Sequence, residues 1–253
     1  MMMTNMSSII ESSNQNLKKE KLKTTAAMNF FSATVFLTLL VLIFISVTYK
    51  AVPSLLDNPY NRIIATNGML LTYSVVYVIM IYRSHFPLCF YGLTLKNWRR
   101  DIAISSLLSA AFLLAILILK KAYIILSNNT SMQLFDFNAS KHPVCHSLIA
   151  VAFYTVFTAI QEFTTRGVIQ GTTMALATTT YEKVRALIIV TMIFCCGHLH
   201  FPSNYFALLV MISSLFWSLL YEINGRRLLG VIYSHAVIGV VFFSFIGWKG
   251  ILS

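Results

Sequence analysis

The sequence predicts an all-α fold, a polytopic bundle of membrane-crossing helices. Three observations carry that expectation. Apolar residues make up 57% of the 253 residues and charged residues only 11%, against roughly 25% charged in an ordinary soluble domain. The mean hydropathy is +0.74. The apolar residues also fall into long runs, and about 20 apolar residues cross a bilayer as a helix. Lipid offers no partner to unpaired backbone groups, so helices are expected rather than open sheets.

Taken in order, the apolar runs lie near 28–49, 62–82, 102–119, 144–172, 185–201, 204–221 and 228–247. The expectation is about seven spans, within a range of roughly six to eight. Residues 1–27 form a polar, basic segment with Lys18, Lys19, Lys21 and Lys23 ahead of the first run. That run is long for a signal-peptide core and lacks a small-x-small cleavage site, so it reads as a retained anchor. Residues 28–90 hold the first spans. Phe201-Pro202-Ser203-Asn204 marks a tight turn between the fifth and sixth runs, and Glu222 to Arg227 marks another before the last.

The net charge of +11 has a membrane explanation. The basic residues sit between the apolar runs, where they set topology and meet anionic headgroups. Membrane lipids are therefore expected partners, and nucleic acid is not. Lys and Arg are concentrated at the N-terminus and in alternate connections (Arg83, Lys96, Arg99 and Arg100; Lys183 and Arg185; Arg226 and Arg227). That bias predicts a multi-pass protein with a cytoplasmic N-terminus. The expected location is a bacterial inner (plasma) membrane. Cys89, Cys145, Cys195 and Cys196 form no CxxC pair, so neither a zinc knuckle nor a disulfide framework is indicated; small apolar filler is the simpler role.

Ionisable residues inside spans cost about 2.5–3.5 kcal/mol or more and are functional candidates. Glu162 and Arg166 stand four apart in the fourth run, on one helical face. His198 lies in the fifth run and His235 in the seventh. A lone ion pair is often structural, and a lone buried His is often a hydrogen-bonded core residue. Three spans each supplying an acid or an imidazole are a less ordinary arrangement. A carboxylate near two imidazoles takes a proton from water, and the imidazoles orient that water or stabilise an oxyanion. The same three residues, Glu162, His198 and His235, are also a conceivable zinc ligand set. The HExxH spacing is absent, and His198 and His200 point about 200° apart on an ideal helix. No GxSxG elbow, rhomboid-like serine motif or paired intramembrane Asp is found. The expectation is no cofactor, with a divalent metal such as zinc on those three residues as the alternative.

These residues resemble the CAAX protease and bacteriocin-processing (CPBP, or Abi) family of intramembrane proteases. In that family Glu-Glu-x-x-x-Arg stands on one helix, Phe-x-x-x-His on a later one, and a further His on the last, often with Asn four residues on. Here the counterparts are Gln161-Glu162-x-x-x-Arg166, Phe194-x-x-x-His198 and His235. Tyr91-Gly92-Leu93-Thr94-Leu95-Lys96-Asn97-Trp98 looks like the family's connection into its core, which makes 91–253 the core bundle. The resemblance implies an intramembrane endopeptidase acting on a membrane-associated protein or peptide. Glu162, His198 and His235 would be catalytic, with Arg166, Gln161 and His200 supporting. Two positions depart from the pattern: Gln161 replaces the first Glu, whose proton an amide cannot accept, and Gly239 replaces the Asn. The alternatives are a catalytically inactive Abi-fold protein acting in immunity or regulation by binding, and a proton-coupled transporter.

His142 and His146 flank Pro143 and read as loop residues, as does His85 before Pro87. Asn128-Asn129-Thr130 and Asn138-Ala139-Ser140 fit the glycosylation pattern, relevant only in a secretory pathway.

Overall fold

The computed structural model describes residues 86–127, 133–135, 144–198 and 204–246, with helical positions at 71, 74–75, 78–79 and 81–82. The N-terminal segment and the run 28–49 lie outside the described residues, as do most of 62–82, His85, His142 and both glycosylation patterns. The described residues contain helices and no strand. A 3-10 turn at Leu88–Tyr91 is followed by α1 (Trp98–Leu126), α2 (Val144–Glu162), a π-helical stretch Phe163–Gln170, α3 (Gly171–Leu176), α4 (Thr180–Cys196), α5 (Asn204–Ile223) and α6 (Leu228–Val241). A second π-helical stretch, Phe242–Ile246, follows.

Four helical segments among the described residues are long and apolar enough to cross a membrane: Trp98–Leu126, Leu148–Leu176, Phe206–Ile223 and Leu228–Ile246. Each matches a run in the sequence. The fifth run is the exception in its bounds. Its helix starts at Thr180, where Thr179 and Glu182 form a reciprocal capping box, and it ends at Cys196 after 17 residues. His198 therefore lies in the turn beyond the helix and not within a span, a correction to the expected run 185–201.

Side-chain pairs fix the direction of each helix. Asp101 meets Arg227, Ser109 meets Ser234 and Lys120 meets the carbonyl of Ile246, so α1 and α6 run parallel. Glu162 meets His235, while Tyr154 lies against Gly239 and Gly167 against Leu228, so α2 and its π-helical extension run antiparallel to α6. Arg166 bonds Ser214 and Gln170 bonds the Ser218 carbonyl, so that extension runs parallel to α5. The starts of α1, α4 and α6 consequently share one side of the bundle.

Helices in lipid gain nothing from hiding apolar surface from one another, so small and polar residues hold them together. The buried seams bear this out, with Ser105, Ser109, Ser213, Ser214, Ser218 and Ser234 all buried. Large apolar side chains instead face outward, among them Leu107, Leu114, Ile118, Phe153, Ile188, Leu208 and Leu215. A smaller apolar core joins Phe194, Val210, Trp217, Leu220, Tyr221, Leu228 and Val231. The connection 91–98 is clamped onto the bundle. Tyr91 is fully buried, and the Gly92 carbonyl accepts from the Leu228 amide at 3.1 Å.

Candidate active site

The site starts from a local irregularity in the helix that carries Glu162. Phe163-Thr164-Thr165-Arg166-Gly167 is a poor α-helical sequence, because Thr and Gly are weak helix formers. The backbone there winds as a π-helix from Phe163 to Gln170, a form that recurs at functional sites. Threonine hydroxyls take up carbonyls along the stretch: Thr165 Oγ1 donates to the Gln161 carbonyl at 2.6 Å and Thr172 Oγ1 to the Val168 carbonyl at 2.6 Å. Gly167 is required by proximity, since a Cβ there would stand 2.7 Å from the Tyr91 carbonyl oxygen.

Glu162 and Arg166 are both fully buried, with Arg166 Nε 3.3 Å from Glu162 Oε2. That contact is an ion pair without an aligned hydrogen bond, because Oε2 and Nε each lack a hydrogen-bond partner. The other carboxylate oxygen, Oε1, is 2.7 Å from His235 Nδ1, which donates when protonated. Arg166 is anchored from the far side, its Nη2 donating to Ser214 Oγ at 2.9 Å and to the Ser214 carbonyl at 3.0 Å. Its guanidinium carbon also lies 5.1 Å from the Phe194 ring centroid.

Aromatic rings set the position of the imidazoles. Trp217 of α5 stacks on His235 with centroids 3.7 Å apart and planes 18° from parallel. Phe194 of α4 meets His235 edge-on at 6.0 Å and Trp217 at 6.0 Å. His198 stacks on Phe194 at 4.6 Å, and its Nδ1 is 2.9 Å from the Phe194 carbonyl oxygen. The structure thus brings Glu162, Arg166 and His235 into direct contact and connects His198 to them through the Phe194 ring.

The supporting residues divide differently. Gln161 is half-buried, and its carbonyl accepts from Thr165. His200 lies outside the described residues. Among the described residues no three His, Cys, Asp or Glu side chains gather as a set able to hold a metal ion.

Three contributors were not singled out in the sequence: Ser214, Trp217 and Tyr154. Tyr154 lies 6.3 Å from His235, ring to ring. Its hydroxyl takes the space beside Gly239, where a Cβ would come within 1.8 Å of it. A detectable signal existed for Ser214, since Ser214, Ser218 and Glu222 recur at every fourth position of an otherwise apolar run.

Residues 144–241 match the family model described as Type II CAAX prenyl endopeptidase Rce1-like. The matched segment runs from the start of α2 to the end of α6 and contains Glu162, Arg166, His198 and His235. No curated protein and no solved structure matches the chain.

Proposed function

From the premise that residues 144–241 are an Rce1-like core of the CPBP protease family, we propose that this multi-pass membrane protein is an intramembrane endopeptidase. It hydrolyses a peptide bond of a membrane-associated protein or peptide, and a prenylated CAAX protein is the substrate class named by the family. The observation that carries the reading is the buried Glu162 carboxylate, fixed through Oε1 by His235 and facing Arg166 through Oε2.

Each group then has a role. Glu162 Oε2, which accepts no hydrogen bond from the described residues, takes a proton from a water. The water oxygen bonds to the substrate carbonyl carbon, and the carbonyl electrons move onto its oxygen. His235 holds the carboxylate in place, Trp217 holds His235, and Ser214 holds Arg166. Arg166 Nη1, also without a hydrogen-bond partner, and the imidazole of His198 supply positive or donor character for the oxyanion. Collapse of the intermediate breaks the carbon–nitrogen bond, and the proton on Glu162 passes to the leaving amine. General-base assistance of this kind is worth roughly 10²–10⁴ in rate.

A second reading is favoured by Gln161: a non-catalytic member of the same fold that acts by binding. A panel of membrane-anchored peptides, with and without a prenyl group, separates the two in proteoliposomes. Cleavage of at least one by the wild type, slowed by about 10² or more in Glu162→Gln, supports the peptidase. Equal rates in the two proteins, or binding with no cleavage in either, contradict it. The transporter reading would return only if substrate flux followed a pH gradient.

A further inference from the structure

The polar groups around Glu162 do not stop at the site. Glu162, Arg166 and Gln170 recur at every fourth position along α2 and the π-helical stretch, and Ser214, Ser218 and Glu222 do the same on α5. The two rows face each other in register. Arg166 bonds Ser214 Oγ at 2.9 Å; Gln170 Nε2 bonds the Ser218 carbonyl at 3.0 Å and Glu222 Oε1 at 3.1 Å. Glu222 also pairs with Arg226 at 3.1 Å, and these two side chains are 29% and 38% exposed. The file therefore begins at solvent-exposed charges and ends at a fully buried carboxylate. On α5 the row from Glu222 to Ser214 covers eight residues, about 12 Å along the helix, and Glu162 lies one turn beyond Arg166, the partner of Ser214.

The seam carries more polar atoms than it pairs. Gln170 Oε1, Ser218 Oγ, Tyr221 Oη, Arg166 Nε, Arg166 Nη1 and Glu162 Oε2 are all buried without a hydrogen-bond partner among the described residues. A buried polar atom with no partner costs on the order of 1–3 kcal/mol, and this row has one at nearly every turn. A purely structural zipper would close these positions with apolar side chains or complete their hydrogen bonds. Small polar molecules satisfy such atoms without disturbing the packing, and water is the smallest.

We propose that the seam between α5 and the π-helical stretch is a water path, leading from Glu222 and Arg226 at the bundle surface past Ser218 and Gln170 to Glu162. Its purpose, delivery of the hydrolytic water, rests on the peptidase reading. Its existence does not, because Gln170 Oε1 and Ser218 Oγ, the unpartnered atoms between the surface and the site, lie outside the acid and imidazole set.

The test uses the full chain in lipid vesicles, with Cys89, Cys145, Cys195 and Cys196 replaced by Ala, and a small water-soluble methanethiosulfonate as probe. Such reagents need a hydrated thiolate. Single variants Ser218→Cys and Ser214→Cys are expected to react about tenfold or more faster than Leu219→Cys, which faces lipid. Adding Gln170→Leu is expected to slow Ser214→Cys by about tenfold, whereas Gln170→Ser leaves it fast. Circular dichroism and gel filtration identify variants that fold. Reaction of Ser218→Cys no faster than Leu219→Cys overturns the path, as does a Ser214→Cys rate indifferent to Gln170→Leu. The expected labelling pattern in a protein that cleaves no peptide supports the path and contradicts the peptidase reading. In a protein that does cleave, Gln170→Leu lowers kcat and leaves KM within about twofold.

Discussion

Glu162 is the residue on which the account turns, and its surroundings explain why an acid survives inside a membrane bundle. One oxygen is held by His235 and the other faces Arg166, so the charge is not left uncompensated. Glu162, Arg166 and His235 were legible in the sequence because charge in an apolar run is expensive and therefore conspicuous. Trp217 was not, because a tryptophan in such a run reads equally well as an interfacial ring, and Ser214 showed only through the spacing it shares with Ser218 and Glu222. Tyr154 was hidden for a different reason. Its role depends on Gly239, far away in the chain, leaving space for the hydroxyl. Gly239→Ala should therefore lower thermal stability in detergent by about 1–3 kcal/mol through overpacking. Adding Tyr154→Ala should recover much of the Gly239→Ala loss; additive losses in the double variant would show that the two positions do not compete.

At the scale of single helices, the apolar runs predicted four spans well and misplaced the fifth. Thr179 and Glu182 begin α4 ahead of the run, because capping bonds rather than hydropathy set a helix start. The amides of Thr178 and Thr179 and the Thr178 hydroxyl bond the Glu182 carboxylate and hold its pKa down to about 2, from an ordinary value near 4.3. A depressed carboxylate contributes stability above its unfolded value and loses it as pH falls through its folded one. The first turn of α4 should thus keep its amide-exchange protection from neutral pH to about 4 and lose it on approach to about pH 2. Glu182→Gln should lack that protection at neutral pH as well; unchanged exchange in this variant would remove the capping argument. The π-helical stretch after Glu162 was not legible. Thr164, Thr165 and Gly167 signal a weak α-helix but not which irregular form results, and the close approach of Tyr91 to Gly167 joins residues far apart in the chain.

For the molecule as a whole, alternating helix directions place Lys96, Arg99 and Arg100, then Lys183 and Arg185, then Arg226 and Arg227 on one side. The positive-inside tendency predicts that side to be cytoplasmic. Cys89, exposed in the turn before α1, belongs to the same side. In intact cells a membrane-impermeant thiol reagent should leave Cys89 unlabelled until the membrane is opened, provided the other cysteines are replaced. Labelling from outside would invert the topology. The bundle and the order of its polar helices were legible because lipid permits few alternatives to the helix. The contacts between helices were not, since they rest on side-chain register that no single run encodes. The central claim is that the buried Glu162, and not the neighbouring Gln161, is the reactive centre of a hydrolase. Single-turnover peptide cleavage in proteoliposomes tests it most directly. Gln161→Ala is expected within about tenfold of wild type and Glu162→Gln slowed by about 10² or more. A Glu162→Gln protein that cleaves at the wild-type rate would contradict it.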